Sequence, residues 1–135
     1  MADTFELEIA TPERLLVHEH VSSAQIPAEN GYLGVLPGHA PLFAQLGIGS
    51  LSWECGGASG STVLVSQGLI EVRDNHVRVL ADIAELPSEI NVAAAEKALQ
   101  EAQEKMAHPA PDSDVAGVLI QYRTATVRIE TARQR

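Results

Sequence analysis

Pro87 divides this chain into two kinds of sequence, and that break constrains the fold more than any other feature. Before it, apolar residues recur at every second position in short runs separated by Gly, Pro, Asn and Asp. After it, they recur at every third or fourth position among strong helix formers. The first period belongs to half-buried strands and the second to amphipathic helices. The expectation is an α+β chain: an N-terminal antiparallel β-sandwich over residues 1–86, followed by a C-terminal antiparallel two-helix hairpin over 87–135.

The strand half begins with Phe5, Leu7 and Ile9 alternating with Glu6, Glu8 and Ala10. Extended runs follow over Leu15–His20 and Val21–Ile26, the latter expected to stop at Pro27, where the ring fixes φ and removes a donor. Asn30-Gly31 reads as a turn. Phe43–Trp53 alternates again, with Gly47 and Gly49 suggesting a bend. Gly56-Gly57-Ala58-Ser59-Gly60 reads as a hairpin tip. Ser61–Ser66, Leu69–Arg73 and His76–Leu80 complete the strands, the last two joined by a turn at Asp74-Asn75.

In the helical half, Ser88 and Asn91 are both good N-caps for a first helix over Ala93–Met106, with Ala95, Leu99, Ala102 and Met106 on its apolar stripe. His108-Pro109-Ala110-Pro111 ends it. Ser113 or Asp114 can cap a second helix carrying Val115, Leu119, Tyr122, Ala125, Ile129 and Ala132 on one face. These stripes are thin and rich in alanine. Ordering a residue costs roughly 1.5 kcal/mol, which apolar burial must offset, so the hairpin needs a surface to dock on. Such a segment is a candidate moving part.

Of 135 residues, 18 are acidic and 9 basic, a net charge of −9. That excludes the basic face by which proteins displace counterions from nucleic acid, so no nucleic-acid partner is expected. The charge is unevenly spread: residues 1–87 hold 11 acidic and 3 basic side chains, whereas 112–135 hold 3 and 4. No run reaches the ~18 apolar residues of a spanning helix, and the first six residues lack a basic-then-apolar leader, so neither direct membrane insertion nor secretion is expected. The single cysteine, Cys55, forms no internal disulfide, which fits a reducing compartment.

Reactive constellations are sparse. Cys55 lies beside two glycines with no base near it in sequence. Asp82 and Glu85 read as surface charge. His18 and His20 fall on one face of a strand, a spacing that could present two metal ligands if His39 or His76 joined them. No Cys/His cluster supports that, so no metal, cofactor or catalytic residue is expected. The runner-up is nevertheless a free-standing β-sandwich enzyme or metal-binding protein using His18, His20 and His39.

The stretch Gly31-Tyr32-Leu33-Gly34-Val35-Leu36-Pro37-Gly38-His39-Ala40-Pro41-Leu42 reads as a shaped turn on an apolar surface, neither a plain strand nor a helix. It resembles the signature of the epsilon subunit of F-type ATP synthase. Phe5–Glu13 is similar to that family's first strand and turn, and Gln67–Val72 with His76–Asp82 to its last hairpin, so the resemblance spans the chain. It implies a ten-stranded β-sandwich and two antiparallel helices in a non-catalytic subunit of the central rotor. The sandwich would bind the gamma subunit and the c-ring, coupling proton translocation to ATP synthesis at the cytoplasmic face of the bacterial plasma membrane as a peripheral protein. The helices would restrain ATP hydrolysis by reaching the catalytic alpha and beta subunits.

By match to the family's motifs, Tyr32 and His39 would meet the c-ring. Arg123 and Arg128 would face acidic segments of the catalytic subunits. Some members bind ATP through Ile/Leu-Asp-x-x-Arg-Ala at the start of the first helix. Here Asn91 and Ala94 replace the aspartate and the arginine, which implies weak or no ATP binding and no cofactor, an expectation that calorimetry with ATP tests.

Overall fold

The computed structural model describes residues 4–57 and 60–134. The first three residues, Ala58 and Ser59 of the expected hairpin tip, and Arg135 lie outside the described residues. Seven strands come first: β1 (Phe5–Ala10), β2 (Leu15–Val21), β3 (Ser23–Ala28), β4 (Gly31–Val35), β5 (Leu42–Glu54), β6 (Ser61–Arg73) and β7 (His76–Glu85). A 3-10 turn at Pro87–Glu89 leads to α1 (Val92–Ala107) and α2 (Val115–Ala132). The chain divides into two units between Leu86 and Pro87.

The strands are hydrogen-bonded in the order β2-β1-β7-β6-β5-β3-β4. Neighbours run antiparallel except β1 and β7, which pair in parallel. Their inward faces share one core of Phe5, Leu7, Ile9, Val21, Ile26, Val35, Leu51, Val63, Val65, Ile70, Val77 and Val79, each at most 2% exposed, with neighbours packed around them. The indole of Trp53 on β5 donates to Glu19 of β2 at 3.0 Å, tying that core to the far strand of the sheet.

Seven strands are described where the resemblance implies ten, because β5, β6 and β7 each run through a bend without ending. At the bend the ladders skip Gly47 opposite Gln67, and Gln67 opposite Asp82, while the register on either side is kept. Gln67 takes φ 57° and Gly68 φ 143°. The backbones are so close there that a Cβ on Gly68 would fall 1.9 Å from the Leu80 carbonyl oxygen. The bend therefore requires glycine, and it merges into β6 the runs that the sequence presents as two strands.

Pro27 does not stop β3 as expected. It lies within the strand, paired with Tyr32 of β4, where the ladder to β5 is interrupted between Gln25 and Ala28. A residue without an N–H is tolerated where no ladder bond is asked of it. The opening of the signature is likewise a strand, β4, and only Leu36–His39 forms the turn.

In the helical unit Asn91 caps α1, its side chain accepting from the Ala94 amide at 3.0 Å. Asp114 caps α2 in the same way through the Gly117 amide at 3.0 Å. The buried helical residues are Ala95, Ala102, Ala125, Thr131 and Ala132. The two helices pack against each other, and Gln121 donates to the Ala98 carbonyl at 3.2 Å across the seam.

Candidate functional site

The signature turn is held by two hydrogen bonds, one its own and one from the β6–β7 turn. His39 N–H donates to the Leu36 carbonyl at 3.1 Å, closing the turn, and Gly38 takes φ 82°. The Gly38 amide donates to the side-chain oxygen of Asn75 at 2.6 Å. Asn75 itself lies in the tight β6–β7 turn, where Asp74 and Asn75 have φ 51° and 56°, and its carbonyl accepts from Glu6 N–H at 2.9 Å. One asparagine thus fixes the start of β1, the β6–β7 turn and the signature turn together. Sequence reading used it only as a turn residue.

Tyr32 and His39 occupy different places on this frame. Tyr32 projects from β4 with 60% of its surface exposed, and its hydroxyl accepts from the Ser50 amide at 3.3 Å. It lies across Gly49 and Pro27: a Cβ on Gly49 would sit 2.7 Å from both the Tyr32 hydroxyl and Pro27. Gly49 therefore makes room for the tyrosine and is not a bend. His39 is half-buried, its Nδ1 bonded to the Ala40 carbonyl at 2.7 Å, and with Phe5, Leu36 and Val77 it lines a shallow cleft. Beside it Leu36 is 64% exposed.

The outer face of the sheet carries a feature that spacing alone did not reveal. Leu15, Ala10, Leu80 and Leu69 fall in one cross-strand row over β2, β1, β7 and β6, and Phe43 stands diagonal to Leu69 on β5. The three leucines and Phe43 are all exposed, Phe43 by 68%. An apolar band of this kind across a sheet face marks a binding surface. The register that aligns it becomes visible only once the strands are paired.

The next rows on the same face are charged. Glu8 is paired with His18 and Arg78, and Glu6 with His20 and His76. The side chains reach diagonally. His18 Nε2 is bonded to Glu6, His76 Nε2 lies 2.7 Å from Glu8 Oε1, and Arg78 Nε is 3.8 Å from the other Glu8 oxygen. The bond to Glu6, together with the charges of Glu6 and Glu8, raises the His18 pKa, and the same bond holds the Glu6 carboxyl below its usual range. Sequence reading paired His18 with His20 and looked to His39 or His76 for a third ligand. The fold brings His76 to His18 through two glutamates, and places His39 at the signature turn instead.

The other candidates stay apart. Asp82 is exposed and Glu85 half-buried, three positions apart on β7 and on either side of the point where its burial alternation slips. Cys55 is exposed. Arg123 is exposed and Arg128 half-buried on α2. Five helical positions separate them by about 140° around the axis, so they point in different directions. Asn91 is occupied in capping α1, and Ala94 presents only a methyl group there. No described helix is long and apolar enough to cross a membrane.

Comparison with known proteins agrees with this architecture. Residues 4–87 match the family model of the ATP synthase delta/epsilon chain β-sandwich domain, and residues 88–134 that of its long α-helix domain. The chain is 49% identical over 132 residues to the ATP synthase epsilon chain of Solibacter usitatus, covering 98% of both. It is 45% identical over 112 residues to that of Koribacter versatilis, covering 83% of this chain and 78% of the relative. Among solved structures it resembles a chain of the Euglena gracilis mitochondrial ATP synthase F1/c-ring assembly, with TM-score 0.78 and 27% identity, covering 99% of this chain and 82% of that one. A chain of the Tetrahymena thermophila central stalk and c-ring shares the fold at TM-score 0.62 and 18% identity, covering 96% of each. These matches leave the free-standing enzyme or metal protein unsupported: the chain belongs to the ATP synthase delta/epsilon family, as an epsilon subunit of ATP synthase.

Proposed function

We propose that the two units divide the work of the subunit. The strand unit is the docking part, non-catalytic and rigid, binding the gamma subunit and the c-ring of the rotor and so helping to couple proton flow to ATP synthesis. Its apolar band suits a long apolar partner such as gamma, and Tyr32 on β4 and His39, the latter beside the exposed Leu36, suit separate contacts at the c-ring. The helical unit is the regulator: it leaves its resting place and reaches the catalytic alpha and beta subunits, where Arg123 or Arg128 meets acidic side chains and restrains hydrolysis. The subunit then works as a peripheral protein at the cytoplasmic face of a bacterial plasma membrane.

The observation that carries this reading is the poverty of the hairpin's own core. Its buried helical side chains are four alanines and one threonine, while Met106, Val115, Leu119 and Ile120 are exposed at the end that joins the helices. A segment so weakly committed to itself can exchange partners at low cost. The test is the whole complex lacking residues 88–135. Assembly should stay intact and ATP hydrolysis should rise several-fold; unchanged hydrolysis would remove the regulatory role.

A further inference from the structure

We propose that Glu6, Glu8, His18 and His76 form a binding site for a divalent transition-metal ion, zinc above all, on the outer face of the strand unit. The site comes from three strands brought together by topology: β1 supplies both glutamates, β2 His18 and β7 His76. Ligand-capable atoms of Glu6, Glu8 and His18 all lie within 4.8 Å of one another. His18 Nε2 lies 3.9 Å from Glu8 Oε1, and His76 Nε2 2.7 Å from that same oxygen. His76 Nδ1 approaches Glu6 Oε2 at 4.0 Å, so its ring spans both carboxylates.

Two imidazoles and two carboxylates are a donor set that zinc accepts, with bonds of about 2.0–2.2 Å and neighbouring ligands therefore about 3.3–3.5 Å apart. The Glu–His separations lie on both sides of that value; Glu6, Glu8 and His18 form the tight trio, and His76 joins them by rotations about its χ angles. Those rotations are free, because none of the four side chains is fully buried, their exposures running from 20% for Glu8 to 49% for His18. The backbone beneath is not free. Phe5, Leu7 and Ile9 alternate with the glutamates and are locked in the core, so the carboxylates project from a fixed strand. A charged cleft of about 350 Å³, lined by Glu6, Glu71, Arg73, Asp74, His76 and Arg78, opens beside the cluster and leaves room for an ion's water ligand. Arg78 approaches only the Glu8 oxygen turned away from His76. In the absence of metal the cluster is a hydrogen-bonded His–Glu network. With metal, both imidazoles give their Nε2 lone pairs to the ion.

The experiment is isothermal titration of the full chain with Zn²⁺ at pH 7.5, with imidazole NMR resonances followed in parallel. One ion should bind per chain, shifting the ring signals of His18 and His76, and the melting temperature should rise with zinc. His18→Asn with His76→Asn should weaken binding by about tenfold or more, since loss even of outer-sphere partners costs that much. His39→Asn and His108→Asn should leave it unchanged. Binding that survives the double variant, or that shifts only His20, His39 or His108, would overturn the proposal. The NMR readout needs no substitution, so it decides the matter even if a variant folds poorly.

Discussion

The strand unit and the helical hairpin solve the problem of burial in opposite ways. In the first, the fully buried side chains are large: Phe5, Leu7, Ile9, Ile26, Leu51 and Ile70. In the second, the buried helical positions are alanines and one threonine, and the large apolar residues Val115, Leu119, Ile120 and Met106 are outside. Small residues let two helices approach closely, but each removes little apolar area from water, where burial contributes about 25 cal/mol per Å². The strand unit holds its shape by its own core. The hairpin is cohesive enough to be an object and too thin to be a domain. The division of work proposed above rests on that contrast.

The strongest way to break the comparison is to separate the halves. A fragment of residues 1–86 should unfold cooperatively in urea, whereas a fragment of 87–135 should keep less than about half of its helix content by circular dichroism, because helices of this length are marginal alone. A hairpin fragment that melted cooperatively at a temperature near that of the strand fragment would erase the distinction.

Next in size is a pair of glycine substitutions. Gly68→Ala puts a methyl into the Leu80 carbonyl, at a φ that alanine resists, and should destabilise the strand unit by about 3 kcal/mol or more. In α2, Gly117→Ala meets only the carboxylate of Asp114, which can swing away. There the helix-propensity gain of about 1 kcal/mol offsets the loss of a cap worth about the same, so the net change should stay within about 1 kcal/mol. Equal effects in urea melts would mean that the hairpin is as tightly constrained as the sheet.

How much of this was legible beforehand follows the same line. Strand existence and the break at Pro87 are local properties, carried by period and by breakers such as Asn30-Gly31 and Pro109. The merged β6 was not, because Gln67-Gly68 reads as a stop unless the Leu80 backbone is known to press against it. Pro27 misled for a similar reason: whether its missing N–H matters depends on the neighbour that would have accepted it. Tyr32 and His39 were singled out by the signature around them, whereas the apolar band and the Glu–His cluster depend on register, which aligns Leu15 with Leu80 and His18 with His76. The spacing of five between Arg123 and Arg128 already sets them about 140° apart around α2, so acidic partner groups would meet them from different directions.

The smallest expected effect is a matter of protons, and it concerns only the outer rows of β1 and β2. With EDTA present to exclude metal, the Glu6–His18 pair adds stability while Glu6 is ionised and His18 protonated. The His18 pKa is raised in the folded chain, so its contribution is complete below the ordinary value of about 6.5 and is lost as pH rises through the folded value. The Glu6 pKa is lowered, so its contribution is complete above the ordinary value of about 4.3 and is lost as pH falls through the folded one. Between those ordinary values the pair acts in full. Above about 6.5 the melting temperature of the chain should therefore decline slightly. His18→Gln should flatten that upper arm, and Glu6→Gln should flatten both, leaving hairpin helicity untouched. A variant profile parallel to the parent's would show that the pair is formed equally in the unfolded chain, and would detach these two residues from the stability of the sheet.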